Sequence, residues 1–65
     1  MKEYTNSAIA AVIDEYIHNE LHRRILKRRY IDHITYERLA EEVGLDDSTV
    51  KRIVRENEWT VFKHL

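Results

Sequence analysis

The chain has 65 residues, no cysteine, no proline, one glycine and a formal net charge of −1. This length allows one small domain, and the lack of cysteine excludes a disulfide scaffold and a thiolate metal site. No apolar run approaches the roughly 18 residues of a membrane-spanning helix, and no basic-then-apolar leader is visible at the N-terminus. We therefore expect a cytoplasmic domain whose small core needs well-packed helices or a partner chain.

The N-terminal region has the apolar spacing of a one-sided helix. The residues at this spacing are Ile9, Val12, Ile13, Tyr16 and Ile17. They follow the i, i+3, i+4, i+7, i+8 rule, which predicts a helix from about residue 7 to 18. The expected cap is Asn6 or Ser7, after a short lead-in at Met1–Asn6.

The apolar stripe changes phase beyond this helix. Leu21 and Ile25 continue the first face, whereas Leu26 and Tyr30 define a face rotated by about 100°. Asn19 is a suitable cap, so the pattern favours a break near Asn19 and a second helix to about Ile31. A single bent helix remains the alternative, because neither glycine nor proline forces the break.

The segment 34–53 has the pattern of two short helices joined by a tight turn, which is typical of a helix-turn-helix. Its apolar positions are Leu39, Val43, Leu45, Val50 and Ile53. Thr35 is a suitable cap for the first helix, and the small Ala40 allows close packing of the second. Gly44 can adopt the left-handed conformation that ends the first helix, and Asp46 can cap the next.

The second helix of this motif has no evident stop signal. The stripe that begins at Val50 continues through Val54, Asn57, Val61 and Leu65, of which only Asn57 is polar. One helix to about His64 and a helix followed by a kink and a tail both fit this stripe. The sequence thus predicts one all-α domain over residues 1–65, a compact bundle of three to four helices. Its parts are supporting helices at 7–31, a helix-turn-helix at 35–55 and a C-terminal helical extension at 56–65.

The second helix of the motif carries polar side chains away from its apolar positions. A helix of this kind can lie in the DNA major groove, where its first turns contact base edges and phosphates. Asp47 can accept a hydrogen bond from a cytosine amine, although a carboxylate also repels phosphate. The candidate DNA-binding residues of this helix are Asp47, Ser48, Thr49, Lys51, Arg52 and Arg55.

A basic stripe precedes the motif. Arg23 and Lys27, and Arg24 and Arg28, form adjacent i, i+4 rows on the second predicted helix. We expect these four side chains to contact phosphates, provided that the helix places them beside the second helix of the motif. The alternative is pairing within the chain, for which the expected acidic partners are Glu20, Glu37, Glu41 or Asp32.

Other chemistry has little support. His18 and His22 are four residues apart, but no third metal ligand is evident and the order differs from that of metalloproteases. We therefore predict no metal, no cofactor and no catalytic site. The first helix and the C-terminal stretch are the candidates for a homodimer seam. The aromatic residues expected in the core or at its edge are Tyr16, Tyr30, Tyr36, Trp59 and Phe62.

Four short motifs between Ile25 and Arg52 carry a family resemblance. They are Arg28-Arg29-Tyr30, Thr35-Tyr36-Glu37, the run from Leu39 to Leu45, and Ser48-Thr49-Val50-Lys51. This part of the chain resembles region 4 of bacterial sigma factors and the related helix-turn-helix of small phage and mobile-element regulators. The chain departs from the usual family pattern at Arg28, at His33, where a turn glycine is usual, and at Asp47.

The resemblance implies that the second helix of the motif contacts promoter DNA in the major groove. The residues at contacting positions would be Ser48, Thr49, Lys51, Arg52 and Arg55. The same family module also docks on RNA polymerase and on regulators. We therefore expect a small, non-enzymatic, DNA-binding transcriptional regulator. The alternative is the same fold used as a protein-interaction module without sequence-specific DNA binding.

Overall fold

A computed structural model describes residues 4–65 of the chain. Its elements are four helices, α1 (Asn6–Tyr16), α2 (Glu20–Tyr30), α3 (Tyr36–Val43) and α4 (Asp47–Lys63). The predicted all-α bundle with a helix-turn-helix is thus confirmed. Residues 1–3 of the predicted lead-in lie outside the described residues.

The first two helices are separate, so the predicted break is confirmed and the single bent helix is excluded. α1 ends at Tyr16, two residues before the predicted end, and its cap is Thr5 rather than Asn6 or Ser7. The Thr5 hydroxyl accepts a hydrogen bond from the Ala8 backbone N–H at 3.1 Å. The side chain of Asn19 accepts the corresponding bond from the His22 backbone N–H, also at 3.1 Å, and starts α2 as predicted.

The turn between α2 and α3 contains the one non-glycine residue with a positive φ among residues 4–65. His33 has a φ of 56°, in the left-handed region where glycine is favoured. The turn is closed by the Ile34 backbone N–H, which donates to the Arg28 carbonyl at 3.2 Å. The backbone is therefore left-handed at this position, and His33 adopts that conformation in place of the turn glycine that the family resemblance predicts.

The turn between α3 and α4 matches the sequence prediction. Thr35 and Asp46 are the N-caps of α3 and α4, and Gly44 ends α3 with a φ of 73°. The Asp46 Oδ1 atom accepts a hydrogen bond from the Thr49 backbone N–H at 3.1 Å. These local interactions fix where α4 begins and therefore which of its side chains face solvent.

The four helices enclose one apolar core. Its buried side chains are Ile9, Ile13, Ile17, Ile25, Leu26, Leu39, Ala40, Val50, Ile53, Val54 and Val61. α4 runs without interruption to Lys63, which confirms the single-helix alternative and gives the stripe from Val50 to Val61 one continuous face. Within residues 4–65, no helix is both long enough and apolar enough to cross a membrane.

The position of Trp59 differs from the prediction made from the sequence. Its side chain is 70% exposed, so the expectation that it lies in the core or at its edge is wrong. Trp59 follows Val50 by nine residues, or two and a half helical turns, and so points to the opposite side of α4. Tyr16 and Phe62 are also exposed, at 38% and 41%, whereas Tyr30 and Tyr36 pack against the core as expected.

Candidate nucleic-acid interface

The first half of α4 presents polar side chains to solvent because its apolar stripe faces α2 and α3. Ser48, Lys51, Arg52 and Arg55 are exposed, and Thr49 is half-buried. The Arg52 side chain is 67% exposed and its Nε atom lies 4.0 Å from Glu56 Oε1, a loose contact. Within residues 4–65, the Arg55 side chain has no ion pair or hydrogen bond. Most of these side chains are therefore available to an external partner.

The N-terminus of α4 carries two carboxylates in different situations. Hydrogen bonds from Thr49, together with a weak one from the Ser48 hydroxyl, hold the pKa of Asp46 below its ordinary value. Asp46 is thus used within the fold as a cap. Asp47 is exposed, and among the described residues its side chain has no partner. A negative charge here favours the helix dipole but lies where a phosphate would approach.

Most basic side chains of α2 have close partners within the molecule. Lys27 Nζ lies 2.6 Å from Asp14 Oδ1 of α1. Arg23 donates from its Nε atom to the Ile17 carbonyl at the end of α1. The groove between α1 and α2 is lined by acidic as well as basic side chains: Asp14, Glu20, Arg23, Arg24, Lys27, Arg28 and Asp32. This surface is therefore of mixed charge.

Arg28 joins α2 to α3. Its Nε and Nη2 atoms donate to the two carboxylate oxygens of Glu42 at 2.9 and 2.7 Å. Its Nη1 atom donates to Asp32 Oδ2 at 3.0 Å. The bond to Glu42 raises the pKa of Arg28 and lowers that of Glu42. Arg24 lies farther from Glu42, at 4.0 Å.

Only some of these contacts were predicted from the sequence. Asp32 is among the predicted acidic partners, whereas Glu42 and Asp14 are not. Both missing partners lie on other helices, so sequence spacing alone could not select them. All the contacts of Arg24, Lys27 and Arg28 described above go to α1, α3 or the α2–α3 turn, and none goes to α4.

A cation–aromatic cluster that the sequence analysis missed does reach α4. The Arg29 guanidinium lies 4.1 Å from the centre of the Tyr36 ring, and Lys51 Nζ lies 5.8 Å from the same centre. Arg29 also donates to the Ile34 carbonyl at 2.9 Å. Arg29 follows the buried Ile25 by four residues, a spacing that places it beside the core rather than with Arg28. That spacing was the available signal.

Metal-binding geometry is absent from the described residues. No group of three His, Cys, Asp or Glu side chains within 4–65 could hold a metal ion. His22 instead lies beside α4, with its Nδ1 atom 3.4 Å from the Asn57 amide nitrogen. The polar neighbour of His22 is therefore Asn57 of α4.

The fold and the exposed face of α4 define a helix-turn-helix protein of the DNA-binding type. Residues 19–56 match the sequence model of the family described as Sigma-70, region 4. Because this match covers more than half of the chain, the protein belongs to that family. The match spans α2 and α3 and the first half of α4, and it excludes α1 and the C-terminal end of α4. Comparisons with curated proteins and with solved structures find no match.

Proposed function

We propose that the protein is a small transcriptional regulator that acts in the cytoplasm and places the first half of α4 in the major groove of double-stranded DNA. The observation that carries this proposal is the exposure of Ser48, Lys51, Arg52 and Arg55 on a helix whose start is fixed by Gly44 and Asp46. Arginine and lysine side chains in this position can bind guanine or phosphate. Neither catalysis nor a cofactor is part of the proposal.

The contribution of α2 to binding is proposed to be smaller. The side chains expected to hold phosphates were Arg23, Arg24, Lys27 and Arg28. Of these, Arg23, Lys27 and Arg28 already have close partners within the fold. An approaching phosphate would have to compete with those partners. Lys51 belongs to α4 itself, and Arg29 lies over the same Tyr36 ring as Lys51. We therefore propose these two side chains, rather than the cations between Arg23 and Arg28, as neighbours of the DNA contact.

The proposal is tested by fluorescence anisotropy with a labelled random DNA duplex at two salt concentrations. We expect binding in low salt that weakens as salt increases, because phosphate contacts release condensed counterions. The control is the Glu15→Ala variant, which alters an exposed carboxylate on α1 that has no ion pair or hydrogen bond within residues 4–65. Absence of binding by the folded wild-type protein in low salt would overturn the proposal.

A second candidate function is a protein-interaction module that binds RNA polymerase or another regulator. It is favoured by the carboxylate of Asp47 at the start of α4, which has no partner among the described residues and would repel a DNA phosphate. A pull-down from a nuclease-treated lysate separates the two functions. Retention of polymerase by a protein that does not bind duplex DNA would favour this second candidate.

A further inference from the structure

The C-terminal end of α4 carries an exposed aromatic patch, formed by Tyr4, Trp59 and Phe62. Trp59 is 70% exposed, and Tyr4 and Phe62 are each 41% exposed. The rings of Tyr4 and Phe62 lie 6.4 Å apart, and Trp59 precedes Phe62 by one helical turn. The patch lies outside the family match at 19–56. Aromatic side chains grouped on a surface are typical of protein interfaces rather than of solvated helix faces.

Opposite charges flank the patch along α4. Glu56 lies about one turn before Trp59, and Lys63 lies about one turn after it. Lys63 Nζ is 4.5 Å from the centre of the Trp59 ring. From Glu56 onward, the outward face of α4 therefore carries acidic, aromatic and basic side chains in that order. A surface with this order is complementary to itself when the second helix runs the opposite way.

We propose that a second copy of the chain docks on this patch, with the two α4 helices antiparallel about a two-fold axis near Trp59. This arrangement sets Trp59 of each copy against Phe62 of the other. It also sets Glu56 against Lys63 twice, once on each side of the axis. The midpoint between Trp59 and Phe62 and the midpoint between Glu56 and Lys63 lie only about 1.5 Å apart along the helix axis. One antiparallel register therefore allows both the aromatic and the charged pairing. A parallel arrangement would instead bring like charges together.

The dimer leaves the first half of α4 uncovered. In this register the last helical residue of one copy, Lys63, lies opposite Glu56 of the other. Residues 47–55 therefore extend beyond the end of the partner helix. The interface is independent of DNA binding, yet it would join two DNA-contacting helices in one two-fold particle. Because few side chains take part, we expect a weak dimer, with dissociation constants of about 10 μM to 1 mM.

Sedimentation equilibrium from about 10 μM to about 1 mM, the range that this affinity requires, tests the dimer. We expect the apparent mass to rise from the 7.9 kDa of one chain towards twice that value. Trp59 emission should shift to shorter wavelength over the same range, since Trp59 is the only tryptophan. A mass that stays at 7.9 kDa at the highest concentration would overturn the proposal.

Substitutions distinguish association through this patch from non-specific hydrophobic association. Trp59→Ala should weaken association at least tenfold, and circular dichroism should show an unchanged fold because the side chain is exposed. The matched control is Leu21→Ala on α2, since Leu21 is 39% exposed and lies outside the patch. Equal loss of association in both variants, or no loss in Trp59→Ala, would contradict the proposal.

Charge reversal tests the antiparallel register. Glu56→Lys and Lys63→Glu should each weaken the dimer, and the double variant should restore it because the opposite charges again face each other. Failure of the double variant to recover association would rule out this register. DNA anisotropy on monomeric Trp59→Ala separates this proposal from the DNA-binding one, because binding to a single site can persist without the dimer.

Discussion

Two regions of this molecule carry similar basic residues and use them differently. The cations of α2 between Arg23 and Arg28 form a dense positive stripe in the sequence, but the contacts of Arg23, Lys27 and Arg28 tie α2 to α1, α3 and the α2–α3 turn, which leaves Arg24 as the mainly exposed cation of the four. The cations of α4 are more widely spaced and interrupted by acids, yet Arg52 and Arg55 remain exposed. The comparison shows that a high local density of charge does not measure the charge available to a partner.

The difference arises from which helices surround each region. α2 lies between α1 and α3, and both neighbours present carboxylates to it through Asp14 and Glu42. The first half of α4 packs with one face only, so its opposite face meets solvent. Breaking an α2 pair should therefore change mainly the stability of the fold, whereas removing an exposed α4 cation should change mainly the affinity for DNA.

The largest expected effect is on DNA affinity. Arg52→Ala should weaken specific binding by about 1–3 kcal/mol if the side chain contacts a base, without lowering the melting temperature. Fluorescence anisotropy against a selected duplex measures the first quantity and thermal denaturation the second. Arg28→Ala is the matched control on α2, for which a lower melting temperature and nearly unchanged affinity are expected. The reversed result would assign the DNA contact to α2.

The turn that positions α4 should be the next most sensitive site. Gly44→Ala is expected to destabilise the fold by about 1–2 kcal/mol, because the left-handed φ is costly for a residue with a Cβ atom. A Cβ atom built at Gly44 would meet nothing within 4 Å, so the effect should come from the backbone alone. Denaturant unfolding checks this value, and Gly44→Asn should cost less because Asn tolerates the left-handed region. An equal cost for both would indicate another cause.

The turn that follows α2 gives a prediction of opposite sign. His33→Gly should stabilise the fold by up to about 1 kcal/mol, since glycine removes the strain of a positive φ at some cost in chain entropy. Chemical denaturation of wild type and variant in parallel measures the change. A variant less stable than wild type would mean that the His33 side chain makes a contribution larger than the strain.

The smallest expected effect concerns the Arg28–Glu42 pair and pH. The hydrogen bond from Arg28 lowers the pKa of Glu42 in the folded state below its ordinary value of 4.5. The stabilisation is therefore fully present above pH 4.5 and is lost as the pH falls below it. The melting temperatures of wild type and Glu42→Gln should thus differ most near neutrality and converge in acid. A constant difference would show that the Glu42 charge is not responsible.

Much of the fold was predictable because it depends on local features. Asn19, Thr35, Gly44 and Asp46 mark helix ends through their own side chains or backbone freedom, and these signals are readable in sequence. The Thr5 cap was missed, since Thr5, Asn6 and Ser7 are all suitable capping residues. Which of the three residues caps α1 depends on how the first turn of α1 packs against the rest of the protein.

The candidate site was less predictable because it depends on contacts between helices. The sequence indicates the outward side chains of α4, but it does not show that Glu42 meets Arg28 or that Arg29 covers Tyr36. Trp59 was misplaced although it lies off the apolar stripe, because aromatic character was given more weight than helical phase. Phase was the better guide.

The central claim is that DNA contacts the exposed cations of α4 rather than the paired α2 cations Arg23, Lys27 and Arg28, and the salt dependence of binding tests it most directly. The logarithm of affinity should be measured against the logarithm of salt concentration for wild type, Arg55→Ala and Lys27→Ala. We predict that Arg55→Ala reduces the slope by about 0.9, the value for one lost phosphate contact, and that Lys27→Ala leaves it unchanged. A reduced slope for Lys27→Ala with an unchanged slope for Arg55→Ala would contradict the account.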